Sequence, residues 1–393
     1  MALPGAILAG FSLYLLALAL ASSARMPRRT WAAGDPHTRL TVLIPAHDEE
    51  TLIERCLRSL QKQSYPSGLY RLVVIADNCT DATAAVAKSG GAEVMVRTAP
   101  NLRGKGHALR WAIDRLLPGA DSPDAIAVVD ADSVAAEGLL AGLVAELEAG
   151  HAVVQADYAL LEGPGPQLGE MARIGFLLFH RVRFSGRLRL GLAANLVGNG
   201  MLFDRHVLET HPWDAFTAAE DLEYSVRLRL AGIEPRFAPD AQVAGPGPGS
   251  RVGARSQRMR WEGGRFHVVR QRLPQLVLAA IARHDAGLLD AALDLATPPL
   301  GLLSLCSVAG LPVVAVGVVA GLAPVWAVVP WVIASLAIPA FVVVGLRSAG
   351  APGLAWRAFV NAPRFLGWKL GTYIRLARGY DVQRWDRTDR VVP

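Results

Sequence analysis

The sequence predicts an α/β fold, a mostly parallel sheet flanked by helices, joined to membrane-spanning helices at both ends of the chain. Three observations predict it. Short apolar runs rich in β-branched residues alternate with helix-like stretches between residues 40 and 160, the pattern of strand–helix–strand crossovers. Uncharged runs at 2–22, 300–322 and 324–346 are long enough to cross a hydrocarbon layer of about 30 Å. Acids collect where the strands stop, at Asp48, Asp77, Asp130 and Asp132, and open parallel sheets bind ligands beyond the carboxyl ends of their strands.

The first run, "ALPGAILAGFSLYLLALALAS", is followed by Arg25, Arg28 and Arg29. A cleaved signal peptide carries its charges before the apolar run, so this run (1–24 with its flanks) is expected to stay as a span with its C-terminal end in the cytoplasm. "ALALAS" offers cleavage as the alternative. The next body, 38–270, is expected to be the cytoplasmic domain. In it "LTVLIPA" reads as a strand, and Leu52, Ile53, Cys56, Leu57 and Leu60 form a helical stripe with Asp48 as its cap. "YRLVVIAD", "AEVMVRT", "AIAVVD" and "HAVVQADYAL" are four further strands. The helix between the third and fourth carries Leu109, Ile113, Leu116 and Leu117 on one face. "TAAEDLEYSVRLRLAG" and "GARSQRMRWEGGRFHVVRQR" read as helices, and the Gly/Pro-rich "PDAQVAGPGPGSRVG" as a mobile loop suited to a lid. Residues 271–299 are expected at the membrane interface and 300–346 as a transmembrane hairpin, with Trp326 and Trp331 as interfacial anchors. Residues 347–393 are expected to form an interfacial helix and a cytoplasmic tail, because 354–378 mix Trp, Phe and Leu with Arg and Lys.

The bulk numbers narrow the class. With 52% hydrophobic residues in 393, the chain suits a soluble body plus a few spans. A net charge of +6 does not imply a nucleic-acid partner, since no binding motif interleaves the basic clusters with aromatics. Cys56, Cys79 and Cys306 form neither a C-x-x-C pair nor an even framework. Cys56 and Cys306 are expected to pack in apolar interiors.

The chemistry concentrates in a few short stretches. "VVDADS" ends a strand on Asp130 and Asp132. One reading is a strand end followed by the cap of the next helix. The other is a divalent cation, Mg²⁺ or Mn²⁺, held by hard oxygen donors that face one ligand from extended chain. "NLRGKGHAL" flanks Lys105 with glycines at a helix start, which suits either a phosphate or a basic surface turn. There is no Walker A spacing, and no G-x-G-x-x-G follows the first strand. Glu220 and Asp221 open a helix, where acids complement the dipole or, for Asp221, serve as a general base. Gln257, Arg258, Arg260 and Trp261 lie close together on a basic helix.

In order, "VLIPAHDEE", "VVIADNCTDAT", "RGKGHAL", "VVDADS", "GNGMLF", "AEDLEYSVRL" and "QRMRW" resemble the motifs of membrane-bound family 2 glycosyltransferases. That family includes cellulose, chitin and hyaluronan synthases and ceramide glucosyltransferases. The resemblance covers about 38–270 and implies a GT-A catalytic domain acting on a nucleotide-diphosphate sugar, a UDP-sugar foremost. It places His47, Glu49, Asp77, Lys105, Asp130 and Arg258 at the sugar nucleotide, and Asp132 with Asp130 at the metal. Asp221, with Glu220 beside it, is implied as the base. Gln257, Arg260, Trp261, Gly198 and Asn199 are implied at the acceptor and diphosphate. Two positions depart from the family pattern: Ala219 stands where Thr is common, and His47–Asp48 replaces a commoner Tyr-Asn.

The implied activity is a metal-dependent, inverting hexosyl or N-acetylhexosaminyl transfer to a lipid or saccharide hydroxyl at a membrane, the bacterial inner membrane being expected. The rivals are a processive polysaccharide synthase, which Q-x-x-R-W favours and three spans disfavour, a non-catalytic membrane scaffold, and a nucleotidyltransferase, which needs no hairpin.

Overall fold

A computed structural model describes residues 1–23, 36–119, 121–161, 167–247 and 251–378. The basic flank with Arg25, Arg28 and Arg29, and the tail beyond 378, lie outside the described residues. The chain divides into two compact units. One holds the described parts of Met1–Met26, Gly165–Leu192 and Leu293–Asp381; the other holds those of Pro27–Pro164 and Ala193–Ala292.

The second unit is built on an eight-stranded sheet. Its strands are β1 (Leu40–Ala46), β2 (Tyr70–Asp77), β3 (Glu93–Arg97), β4 (Ala125–Val128), β5 (Val134–Ala135), β6 (Val153–Leu160), β7 (Met201–Asp204) and β8 (Arg236–Gly245). They lie in the order β3-β2-β1-β4-β7-β6-β8-β5. β1 pairs in parallel with β2 and β4, and β2 with β3. β7 runs antiparallel to both β4 and β6, and β5 antiparallel to β8, so these two oppose the other strands.

The central strands β1, β2 and β4 are mostly apolar because both faces are covered. Val42, Ile44 and Val74 point to the side packed by Ile53–Leu60 and Leu139–Glu148, while Leu43, Val73 and Ile75 point to the side packed by Lys105–Leu116 and Glu220–Leu230. The helices that follow β1 and β2 lie on the first side and the helix that follows β3 lies on the second. The strand order therefore reverses direction between β1 and β4, where open sheets carry their ligands. The register brings Ala46 level with Ala76 and Leu43 level with Val128, so His47, Asp77 and Asp130 share one edge.

Three expectations about elements need correction. β7 lies where no strand is expected, because four residues after paired glycines carry almost no periodicity. The stretch expected to be a mobile loop begins inside β8, which extends to Gly245; residues 248–250 lie outside the described residues. Asp48 does not cap Ile53–Leu60. It has φ +53 and its carboxylate accepts from the backbone N–H groups of Thr80 (2.7 Å) and Asp81 (3.3 Å).

In the first unit, Ala2–Ser22, Leu300–Val319 and Val325–Ser348 are long and apolar enough to cross a membrane. Helical residues Gln167–Arg189, expected in the 38–270 body, belong to this unit instead. The cause is visible in their side chains: Ile174, Leu178 and Val182 pack with Leu15, Ala19 and Phe341. Close approach is set by glycine, since a Cβ on Gly186 would stand 2.1 Å from the Leu18 carbonyl oxygen. Arg183 and Arg187 share Asp294 at 3.1 and 3.0 Å, all three buried. Trp326 is exposed, but Trp331 is buried, its ring indole donating to the Met1 carbonyl at 3.2 Å, so Trp331 does not face outward as an interfacial anchor would. Cys56 is buried as expected, whereas Cys306 is exposed on the surface of an apolar helix.

Candidate active site

The D-x-D stretch is not extended. Val129 is still tied to Leu43 O, and then the chain turns, with the Ser133 N–H donating to Asp130 O at 3.0 Å. The two carboxylates reach one edge through this turn, not through strand alternation. Nor does a helix follow: Val134–Ala135 is the short strand β5, and the next helix begins at Leu139. The capping explanation of Asp130, Asp132 and Ser133 is therefore excluded.

Lys105, at the first turn of Lys105–Leu116, directs its ammonium onto Asp130 Oδ1 and the Gly198 carbonyl oxygen. Its helix reaches this position because Gly106 lets the backbone pass: a Cβ there would stand 2.2 Å from Ala215 O. Burial alone would lower the Lys105 pKa, but Asp130 and Glu220 outweigh it and the net shift is upward. The ammonium is thus a fixed cation in a cradle of oxygens.

Glu220 and Asp221 begin Glu220–Leu230 with Ala219 as the residue before the first turn. Asp221 Oδ1 accepts from the Leu222 N–H at 2.7 Å. Its Oδ2 lies 3.0 Å from where a Cβ on Gly198 would be, and Gly198 has φ +81. Glycine is required there on both counts. Burial and the neighbouring Glu220 push the Asp221 carboxyl up to about 7. Burial also raises Glu220, against the pull of Lys105 and Arg260. A carboxyl that titrates near neutrality beside a fixed cation is suited to taking a proton at working pH.

Gln257, Arg258, Arg260 and Trp261 lie on the helix Arg251–Arg283. The Arg258 guanidinium sits 5.7 Å over the Trp261 ring. One turn on, Gly264 packs against the approach to Glu220, where a Cβ would stand 3.1 Å from Ala219 Cβ and 3.2 Å from the Ala218 carbonyl carbon.

Farther along the edge, Asp77 is buried against Arg97, its Oδ1 also accepting from Asn78 Nδ2 at 3.0 Å. The His47 ring Nδ1 meets the Asp77 carbonyl at 2.7 Å, and Glu49 N–H donates to Thr83 Oγ1 at 2.8 Å. His107 stacks on Phe216 with ring centres 4.2 Å apart. Burial and Arg97 hold its pKa down. The geometry thus brings Lys105, Asp130, Gly198, Glu220 and Asp221 together and sets His47, Glu49 and Asp77 apart from them along the same edge. Asn199 differs from its expected place: its amide is fully buried and bonded to the Asp130 N–H and Ser133, so it cannot touch an acceptor. Arg97 and Gln155 carry no motif signal, and Ser133, although inside "VVDADS", reads from the sequence only as a cap.

A second acidic group, Asp48, Cys79 and Asp81, lies close enough to hold a metal. Its carboxylates are already used by Thr80, Asp81, Glu50 and Thr83 donors, as in a turn that fastens two loops. Asp130 and Asp132 likewise offer hard carboxylate oxygens of the kind Mg²⁺ or Mn²⁺ takes, with Asp130 Oδ1 paired to the Lys105 ammonium and Asp132 Oδ1 to Ser133.

The profile of the glycosyltransferase-like family 2 matches residues 36–264. The chain belongs to glycosyltransferase family 2. Its mixed, mostly parallel sheet with flanking helices is the GT-A layout. The chain is 27% identical over 248 residues to Probable glycosyltransferase YdaM of Bacillus subtilis, covering 60% of this chain and 57% of that protein. It is 30% identical over 237 residues to the beta-monoglucosyldiacylglycerol synthase of Nostoc sp., covering 57% and 48%. The chain thus spans about half the length of these curated relatives. A solved mannosyltransferase, PcManGT from Pyrobaculum calidifontis in complex with GDP-Man and Mn²⁺, is similar at 18% identity and TM-score 0.48 over 86% of this chain and 98% of that one.

Proposed function

We propose that this family 2 enzyme transfers a hexosyl or N-acetylhexosaminyl group from a UDP-sugar to a hydroxyl of a lipid acceptor at a membrane, with inversion to a β-linkage. The observation that carries the proposal is the Asp221 carboxylate beside Gly198, within the same cluster as Lys105 and Asp130. A lipid acceptor of the diacylglycerol kind is supported by the relatedness to beta-monoglucosyldiacylglycerol synthases. Three apolar helices in the same chain agree with it.

In the proposed mechanism, Asp221 removes the proton from the acceptor hydroxyl. The oxygen attacks the anomeric carbon from the face opposite the diphosphate, and the bond from that carbon to the phosphate oxygen breaks with its electron pair on the diphosphate. Lys105 and Arg260 supply positive charge near the leaving group. Asp132 and Asp130 would hold Mg²⁺ or Mn²⁺, which lowers the cost of charge on the leaving diphosphate. Glu220 keeps the Asp221 carboxyl basic by repulsion. Asp77 and His47 serve the nucleotide end of the edge, and Gln257 and Trp261 the acceptor side. The catalytic unit is read as cytoplasmic. The helix Gly353–Ala377, with Trp356 and Val360 exposed, is read as lying on the membrane surface.

A processive synthase is the second reading, supported by Gln257, Arg260 and Trp261 in Q-x-x-R-W spacing. Transfer from radiolabelled UDP-sugars, followed by lipid extraction and sizing of the product, tests both. Label in a lipid carrying one sugar supports the first reading; label in long polymer supports the second.

A further inference from the structure

The loop Gly198–Asn199–Gly200 turns with φ of +81 and +66 at its two glycines, and this conformation sends the Asn199 side chain inward, where it is wholly buried. Its backbone is pinned to β6. Gln155 Nε2 donates to Asn199 O at 2.8 Å, and Gln155 Oε1 accepts from the Val197 N–H at 3.0 Å. Both ends of the Asn199 amide are used on the D-x-D turn. Oδ1 accepts from the Asp130 N–H at 3.1 Å, and Nδ2 donates to Ser133 Oγ at 2.8 Å. Ser133 Oγ in turn lies 3.2 Å from Asp132 Oδ1.

The direction of this chain is fixed by chemistry. An amide NH₂ can only donate, so Ser133 accepts from Asn199. The one hydroxyl proton of Ser133 is then left for the Asp132 carboxylate, which can only accept when ionised. Asp132 is thereby held in one orientation by a buried, polarised relay that starts from β6.

We infer that Ser133 and Asn199 are positioning residues, which hold the Asp132 carboxylate in the orientation that takes a divalent cation. Asn199 fixes the Asp130 backbone in the same act. The inference rests on the proposed assignment of Asp130 and Asp132 to that cation. Partners behind metal-binding carboxylates tune affinity because they remove the freedom of the ligand to turn away.

The test uses the full chain in detergent and reads the Mn²⁺ concentration that half-saturates UDP binding, with GDP titrated in parallel. Loss of the free Mn²⁺ paramagnetic signal reports metal uptake directly. The variants are Ser133→Ala and the near-isosteric pair Ser133→Thr and Ser133→Val, which separate the hydroxyl from side-chain volume if the alanine variant does not fold. The expected result is a rise of about tenfold or more in half-saturating Mn²⁺ for Ala and Val, a value near wild type for Thr, and wild-type UDP affinity for all at saturating Mn²⁺. Val matching Thr overturns the relay while leaving the cation assignment intact. UDP affinity that stays weak in Val at saturating Mn²⁺ also overturns it, because the defect is then one of general structure. Wild-type nucleotide binding indifferent to Mn²⁺ overturns the cation assignment itself, and the relay with it.

Discussion

Asp221 owes its chemistry to its surroundings. Burial and Glu220 raise its carboxyl to about 7, so below that pH it is protonated and cannot accept the acceptor's proton. For a base the sign is unambiguous: kcat/KM should climb with pH through about 7 and level off above it. Glu220→Gln removes one of the raising influences and should move this limb to lower pH, which a pH profile of transfer would show. Asp221→Asn should lower transfer on the order of a hundred- to ten-thousand-fold with UDP binding retained in a calorimetric titration. At this scale the sequence was informative where residue type itself dictates chemistry. The grouping of Lys105, Asp130 and Asp221 was legible because charged residues at strand and helix ends collect on one edge of such a sheet. Ser133 and Gln155 were not, because a buried hydroxyl and amide have many, and only the turn after β4 brings Ser133 against Asn199. Asn199 was found for the wrong place: its neighbours Gly198 and Gly200 signal a tight turn but not the side to which the turn sends the amide.

Among the elements, two glycines set where the charged groups stand. Gly106 allows Lys105–Leu116 to start against Ala215, and Gly106→Ala would force a Cβ to 2.2 Å from a carbonyl oxygen. Overpacking of this kind costs about 1–3 kcal/mol, and a lowered melting temperature should accompany weakened UDP binding. Gly264 seats the Q-x-x-R-W helix on Ala218 and Ala219. Gly264→Val should displace the turn that leads into Glu220 and reduce transfer more than UDP binding, which steady-state kinetics beside a binding titration would resolve. β1, β2, β3, β4 and β6 were all readable as apolar runs. β7 and β5 were not: β5 has two residues and β7 directly follows paired glycines that signal a turn, and both exist through their pairing with β4, β6 and β8. The Gly/Pro-rich stretch misled for a related reason: Ala241 and Val243 supply the strand signal, but prolines and glycines outnumber them.

At the scale of the molecule, hydropathy located the three apolar helices to within a few residues. It did not show that Gln167–Arg189 groups with them, because that helix carries several arginines. Arg183 and Arg187 are accommodated there by the buried Asp294. Asp294→Ala leaves two buried guanidinium groups without their shared carboxylate, a change that costs roughly 3–5 kcal/mol; the variant should show a sharply lower melting temperature or yield in membranes. The most direct measurement is transfer from radiolabelled UDP-glucose into the chloroform-soluble fraction of membranes containing the wild-type chain, with Mn²⁺, with EDTA, and with Asp132→Ala or Asp221→Asn in its place. The account predicts labelled lipid carrying a single β-linked sugar with the wild-type chain and Mn²⁺, and almost none under the other three conditions. Labelled lipid that persists in EDTA and in both variants would contradict it.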